Sequence, residues 1–576
     1  MVTTSTPSPS SVPTTRSSSP IPPNRFSTPP SPPPPAGAVP TDFRSSLAAW
    51  WNNTSYKEAR IAEERLLRRM AHFQPPPPPE AEKGWFGRAA KQPTAAEATA
   101  EASYDATHHE APSSAAEVAT ANSRQGEAVS TPIPIEGTKL VATLRNVFIP
   151  TPNPLAAPQH PADPIIRESP ASSAASSQTS LPDEKCSTKI KSRSGRRKAG
   201  RTEDYINTLE ISRPEDRGEK EAVVVLHGYA AAMGFFFRNW DAISQHSAGT
   251  SRRTFFLDWL GMGLSSRPNP ALLSSPTGTP IPSRVARAEH FFLSSLESWR
   301  EAAGIEKMIL VGHSLGGYLA SAYAVRYPHR VSGLILVSPA GIPHGKEYTR
   351  YDTTAELEVK RVKGLAAGQK VEEGTGRRAS LDEAAEAAEQ ELGGAQGSSN
   401  EAKGEAKEWK KNETMLRKNM MKFFVWGWEK GLSPFTILRN MGPFGPMFAG
   451  RYSLRRFSAQ SDEDIRDLHG YIYNTSVLKG SGEFCISHIL APGAYARVPI
   501  VDRIGALKIP VTFLYGDNDW MDVDGGHASA AELKKAGNDK VAVHVVKNAG
   551  HHVYLDNAED TNRIIGDAIR AIPKTL

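Results

Sequence analysis

The chain has 576 residues, a net charge of +6 and a pI near 9.0, length enough for two or three average domains. So mild a basic excess fits an anionic membrane surface without establishing one, and no run of about eighteen apolar residues forecasts a transmembrane helix. Cys186 sits in a basic, polar stretch and Cys485 in an apolar one, and they are the only cysteines. That excludes a disulfide framework and suits a reducing interior.

Much of the N-terminal third is expected not to fold. Residues 1–40 are almost entirely Ser, Thr, Pro and Ala, with no acid before Asp42. Prolines recur at Pro75 to Pro79, and 92–135 is rich in Ala, Glu, Thr and Ser. Such segments bury too little apolar surface to offset their ordering entropy, so residues 1–134 are assigned to a mostly disordered region. An acid-free, Ser/Thr-rich start with Arg16 and Arg25 has the composition of a mitochondrial transit peptide, although its prolines oppose the amphipathic helix such a peptide forms. The exception is a helix near 43–73, where Trp50, Trp51, Ile61, Leu66, Leu67 and Met70 alternate with Lys57, Arg60, Arg65, Arg68 and Arg69. A basic amphipathic helix can lie on a membrane or pack on the folded body. The proline run must end it.

Val141 to Leu144 and Ile206 to Ile211 read as early strands, separated by a Lys/Arg-rich loop from Lys185 to Arg201. That loop reads as solvated, or as touching anionic headgroups, rather than as a nucleic-acid site. Ala222 to Leu226 and Thr254 to Leu257 are apolar strands, and Ala286 to Ala303 is a helix with Phe291, Phe292, Leu293, Leu296 and Trp299 on its apolar side. Met308 to Val311, Gly333 to Ser338, Pro510 to Tyr515 and Val541 to Val546 are further strands, and Asn562 to Ile572 is the last helix. Short apolar strands alternating with helices predict an α/β fold, a mostly parallel sheet covered on both faces. Core segments span 135–342 and 498–576, interrupted by a cap over 343–497 that contains a low-complexity stretch near 354–411. The later part of that cap carries Met420, Met421, Phe423, Phe424, Trp426, Trp428, Phe435 and Phe444. These read as a lid, partly with a core of its own. Phe423, Phe424, Trp426 and Trp428, with Arg417, Lys418, Lys422 and Arg439 nearby, are expected to dock on a lipid interface.

The decisive feature is Gly312-His313-Ser314-Leu315-Gly316. An apolar strand precedes it, and Gly317 to Tyr323 follow as small and apolar residues at helical spacing. Strand, tight turn and helix form the context of a nucleophile elbow, in which Gly must flank the serine. A serine hydroxyl needs a base, itself oriented by an acid. His551 follows the last strand in Asn548-Ala549-Gly550-His551 and is preferred to His552, because it directly follows Gly550. Asp517, Asp519, Asp522 and Asp524 all follow the penultimate strand; Gly-x-x-Asp spacing selects Asp519, with Asp522 as the alternative acid. The oxyanion hole is assigned to the N–H groups of Leu315 and Tyr229, the latter on the His227-Gly228-Tyr229 loop, with His227 as a brace. No metal or cofactor is expected.

HGYAAAMGFFFRNWDAIS from His227, DWLGMGLSSRP from Asp258, SWREAAGIEKMILVGHSLGGYLASAYAVRYPHRV from Ser298, YGDNDWMD from Tyr515 and AGHHVYLD from Ala549 resemble the α/β-hydrolase-domain 4/5 subfamily. The resemblance covers roughly half the chain and implies the α/β-hydrolase fold. The group includes the mitochondrial cardiolipin-specific deacylase of yeasts, lysophosphatidic acid acyltransferase-type fungal and plant members, and the animal lipase co-activator. What it implies here is a phospholipid deacylase producing monolysocardiolipin from cardiolipin, peripheral on the mitochondrial inner membrane. The alternatives are a CoA-dependent lysophospholipid acyltransferase, or a non-enzymatic lipase regulator at a cytoplasmic or lipid-droplet surface. His551 and Asp556 match the group's His-x-x-x-x-Asp element, read as an acyltransferase signature. Ala230 departs from the usual His-Gly-Tyr-Gly, and Ser314 departs from the co-activator, which has lost its nucleophile.

Overall fold

The computed structural model describes residues 33–52, 56–70, 133–135, 139–162, 203–276, 278–344, 422 and 425–575. The expected disorder of 1–32 and 71–132, the basic loop at 185–201, the low-complexity stretch at 354–411, and Arg417, Lys418, Met420, Met421, Phe423 and Phe424 lie outside these residues.

Nine strands form one sheet in the order β1-β2-β3-β5-β4-β6-β7-β8-β9. They are β1 (Ile133–Ile135), β2 (Leu140–Pro150), β3 (Glu203–Ser212), β4 (Glu221–Leu226), β5 (Arg253–Leu257), β6 (Lys307–His313), β7 (Val331–Val337), β8 (Val511–Gly516) and β9 (Val541–Val546). The first three run antiparallel, as does β3 against β5, and the sheet is parallel from β5 to β9. β2 continues well past the Val141–Leu144 run because all of Val141 to Pro150 pairs with β3.

The central strands are covered on both sides, and their side chains alternate between two cores. Val224, Leu226, Met308 and Leu310 face one core with Phe292, Trp299, Leu319 and Leu533. Val223, Val225, Ile309 and Val311 face the other with Trp240, Phe256, Ile564 and Ile569. Helices α4 (Ile281–Ala302), α5 (Leu315–Arg326) and α9 (Val523–Lys535) therefore cover one face, and α3 (Trp240–Ala248) and α10 (Ala558–Ala571) the other. In register, Leu226 stands beside Gly312, His313 beside Val337, and Val337 beside Leu514. The carboxyl ends of β4, β6, β7 and β8 thus lie at one edge, where ligands of open α/β sheets bind.

The excursion between β7 and β8 carries α6 (Pro434–Asn440), α7 (Gly445–Arg456) and α8 (Asp462–Val477). The expected N-terminal helix is two helices, α1 (Phe43–Asn52) and α2 (Tyr56–Leu67). Helix α2 packs inward: Ala59, Ala62, Leu66 and Leu67, with Met70 just beyond its end, join the core with Ile465, Leu468, Tyr471 and Ile472 of α8. Its membrane reading is therefore withdrawn. Helix α1 is pinned to the cap by Ser46, whose Oγ donates to Pro443 O at 2.6 Å and accepts from Met447 N at 2.8 Å.

Two parts of the expected docking surface are corrected. Trp428 turns inward, donating its Nε1–H to Leu490 O at 2.9 Å and meeting the Tyr229 ring edge-on at 6.1 Å. Arg439 is bound to Glu483 and to the carbonyls of Ser476 and Leu478, so it is not offered to headgroups. Trp426 stays 53% exposed. No helix among the described residues is long and apolar enough to cross a membrane.

Candidate active site

Ser314 stands between β6 and α5 with φ 53° and ψ −119°, a conformation that strains any residue bearing a Cβ. The turn can be this tight because Gly316 passes under β4. A Cβ there would lie 2.5 Å from Leu226 O and 2.6 Å from His227 O. The serine hydroxyl is thereby held above the sheet edge, at the positive end of α5.

From opposite ends of the chain, the expected partners converge on it. His551 Nε2 lies 3.1 Å from Ser314 Oγ, and His551 Nδ1 lies 3.1 Å from Asp519 Oδ1. The Asp519 side chain is 1% exposed. Burial alone would push its pKa up, but the His551 ring, the Ser338 hydroxyl and the Met521 N–H outweigh burial and hold it below the ordinary value. The carboxylate therefore stays charged beside the imidazole. This is a serine, histidine and acid relay at hydrogen-bond distance, able to deprotonate a hydroxyl and stabilise the resulting imidazolium.

The other candidates have different places. Asp522 caps α9 by accepting from Asp524 N at 2.9 Å, so it is not the acid beside His551. Asp517 accepts from Ala549 N at 3.0 Å and braces the histidine loop. Asp556 accepts from Gly550 N at 3.0 Å, locking the same loop through backbone rather than touching the His551 ring. His552 faces Arg456 and stacks on Phe235. Burial and Arg456 hold its pKa well below the usual value, so it is neutral.

The loop from His227, expected to carry an oxyanion N–H, lies against the serine. A Cβ on Gly228 would stand 2.9 Å from Ser314 Cβ. His227 accepts Trp259 N–H at Nε2, 3.0 Å, and its Nδ1 lies 2.8 Å from Gly228 O; this tautomer is neutral and serves as the expected brace. The Tyr229 ring is clasped by Phe435 and Trp428, which sets the cap directly over the loop. Leu315 opens α5, where the first N–H groups have no intrahelical acceptor. Beside the loop is a small cleft, open to solvent and lined by Ala230, Ala231, Met262, Arg267 and Phe435.

Two supporting residues were not singled out from sequence. His313 places its Nε2 3.0 Å from His551 O, fixing the base's backbone, and Ser338 faces Asp519. His313 lies within the elbow motif itself, but Ser338 carries no signal beyond its position after β7. Among the described residues no group of three or more His, Cys, Asp or Glu is placed to hold a metal ion.

A serine raised on a strand-to-helix turn, at the carboxyl edge of a mostly parallel sheet and reached by a histidine after the last strand, defines an α/β-hydrolase. The family model described as alpha/beta hydrolase fold matches residues 221–558, and the chain belongs to that family. Its curated relatives place it in the α/β-hydrolase-domain 4/5 subfamily. It is 29% identical over 374 residues to a probable 1-acylglycerol-3-phosphate O-acyltransferase of Oryza sativa subsp. japonica, covering 64% of this chain and 70% of that one. To the 1-acylglycerol-3-phosphate O-acyltransferase of Arabidopsis thaliana it is 31% identical, covering 61% and 66%. To the (lyso)-N-acylphosphatidylethanolamine lipase of Homo sapiens it is 28% identical, covering 63% and 82%.

Ala230 adopts φ 58°, the left-handed region, at the position where the subfamily's pattern has Gly. An L-residue there costs roughly 1–2 kcal/mol, partly offset by the greater unfolded-state freedom of Gly, about 0.4–1 kcal/mol. Ala230→Gly is therefore expected to raise Tm by about 1–3 °C, read by scanning calorimetry. A lowered Tm would show that the loop gains more from the methyl contact than it loses to strain.

Proposed function

We propose that this protein is a serine acyl-ester hydrolase of membrane phospholipids, deacylating them through an acyl-enzyme. The observation that carries this reading is the Ser314–His551–Asp519 relay. Ser314 Oγ attacks the acyl carbonyl while His551 Nε2 takes its proton. The N–H groups of Leu315 and Tyr229 receive the negative charge that develops on the carbonyl oxygen. His551 then returns the proton to the leaving lipid alcohol, and a water activated by the same imidazole releases the fatty acid. Asp519 stabilises the imidazolium and holds the tautomer. Cardiolipin is the proposed substrate and the mitochondrial inner membrane the proposed site; both rest on the subfamily resemblance and on the composition of the N-terminal residues.

The names of the plant relatives favour a second reading, in which a lysophospholipid hydroxyl replaces water and CoA carries the acyl group. Both readings use the same acyl-enzyme. A purely regulatory role is disfavoured because Ser314 is retained.

Ser314→Ala is expected to abolish ester hydrolysis, by several powers of ten, while circular dichroism stays native. Lipid profiles of a deletion strain and a Ser314→Ala strain should both show accumulated mature cardiolipin. Normal lipids in the point mutant would end the hydrolase reading, and a rise in lysophospholipid alone would favour the transferase. Asp519→Asn should lower kcat by about 10⁴-fold, while Asp522→Asn, which alters only a helix cap, should leave it within a few-fold.

Docking on lipid is proposed through a face revised from the sequence expectation. Phe43, Leu47 and Trp51 lie four residues apart along α1 and are all exposed, Trp51 at 78%. That spacing puts them on one stripe. The Phe43 ring lies 5.0 Å from that of Phe444, which is exposed with Phe448 on the cap. Arg44, Arg451 and Arg455 are exposed on the same elements. Aromatics suit the interface between water and acyl chains, and basic residues near an anionic surface add about 1 kcal/mol each. Trp51→Ala with Phe444→Ala should weaken binding to cardiolipin-containing vesicles about tenfold or more and slow hydrolysis of bilayer lipid, with a short soluble ester barely affected. Equal loss on both substrates would mark the stripe as packing surface.

A further inference from the structure

Helix α2 lies outside the stretch matched by the hydrolase family, yet two of its charged residues are fully buried behind the oxyanion loop. Arg60 and Glu63 have side chains 0% and 1% exposed and pair at 2.8 Å. Both also hold the same amide. Arg60 Nη1 donates to Asn207 Oδ1 at 2.8 Å, and Asn207 Nδ2 donates to Glu63 Oε1 at 2.8 Å and to Asp258 Oδ2 at 2.9 Å. With its oxygen and both amide hydrogens engaged, Asn207 has one orientation.

Asp258 passes the constraint on. Its Oδ1 accepts from Met233 N at 2.8 Å, where the chain leaves the oxyanion loop, and its Oδ2 accepts from Leu264 N at 2.8 Å. The next residue, Trp259, donates its N–H to His227 Nε2 and its Nε1–H to His227 O. Asp258 and Trp259 thus hold the loop 227–233 at both ends, with Gly228 against Ser314 in between.

Adhesion does not call for these charges. Helix α2 already buries Ala59, Ala62, Leu66 and Leu67, and apolar side chains would hold it without the desolvation cost of a buried ion pair. What Arg60 and Glu63 add is direction: hydrogen bonds with fixed angles, ending on the Asp258 carboxylate that accepts from Met233 N and Leu264 N.

We propose that Glu63 and Arg60 are positioning residues for the oxyanion loop, acting through Asn207 and Asp258 to set where the Tyr229 N–H stands relative to Ser314. The proposal rests on the assignment of that N–H to the oxyanion hole. It makes the N-terminal helix part of the catalytic scaffold rather than an appendage of it.

The test uses the full chain with a short, soluble p-nitrophenyl ester. Glu63→Gln keeps the side chain's shape but sets an amide N–H₂ against donors that now meet a carboxylate. It is expected to lower kcat about 10- to 100-fold, as small misplacements near reacting atoms do, with KM within about twofold. The Ki of a trifluoromethyl ketone, whose hemiketal oxyanion occupies the hole, should rise by the same factor as kcat/KM falls. Leu66→Ala is the control, since it loosens α2 through an apolar contact. It should lower Tm and leave kcat at the assay temperature near wild type. A Glu63→Gln kcat within twofold of wild type, or an equal kcat loss in Leu66→Ala, would overturn the proposal and make α2 an anchor only. Should Glu63→Gln not fold, Arg60→Lys, which keeps the charge but not the fork of N–H groups, is read in the same way with the same two outcomes. Turnover that survives Ser314→Ala would instead overturn the hydrolase reading itself, so the two failures are distinguishable.

Discussion

At Ser314 the backbone is held in a conformation that costs an L-residue on the order of 1–3 kcal/mol, and the surroundings are built to keep it there. Ser314 N donates to Val337 O at 3.0 Å, and Ser314 O accepts from Gly317, Tyr318 and Ala340. Underneath, Tyr318 of α5 donates to Glu289 at 2.7 Å, and Arg503 bonds to both at 2.8 and 3.0 Å. A buried guanidinium and carboxylate are costly to separate once paired. The elbow helix is therefore fastened to α4 and to the segment that re-enters the sheet. The strain has no cheap route of release, and the hydroxyl stays where His551 meets it.

The parts of this arrangement that the sequence makes legible are those whose neighbours are near in the chain or whose environment is uniform. Strands β4 and β7 are buried throughout and β6 from Met308 onward, so their apolar runs needed no partner to be recognised. The Gly-x-Ser-x-Gly turn encodes its own tightness. Gly-x-x-Asp spacing pointed to Asp519 over Asp522, and the helix cap at Asp522 is a local feature that explains why the second acid was a plausible competitor. Helix ends drifted by a few residues, as expected where caps and tertiary contacts share the decision.

What could not be read depends on distant contacts. Trp428 looks like an interfacial anchor until Leu490 O, 62 residues on, takes its N–H, and Arg439 looks like a headgroup cation until Glu483 appears 44 residues later. The basic face of the N-terminal helix was legible as a pattern. That Arg60 faces Asn207, 147 residues away, was not. Amphipathic composition reports that a side chain is charged, not whether its counter-ion is lipid or protein. For the same reason Ser338 was invisible: a serine at a strand end acquires meaning only when Asp519 is set beside it.

Strands β7 and β8 are direct parallel neighbours, yet everything from Ser338 to Pro510 lies between them in the chain. The excursion leaves β7 at the carboxyl edge of the sheet and crosses back to the opposite edge to begin β8, a span of one strand length that sets only a minimum on the connection. The cap can lengthen, shorten or exchange its helices while Ser314, Asp519 and His551 keep their spacing. In such a chain the catalytic geometry and its cover are separable inheritances. A change in the excursion would alter what surrounds Ser314, and the three residues on the sheet beneath it would keep their hydrogen bonds.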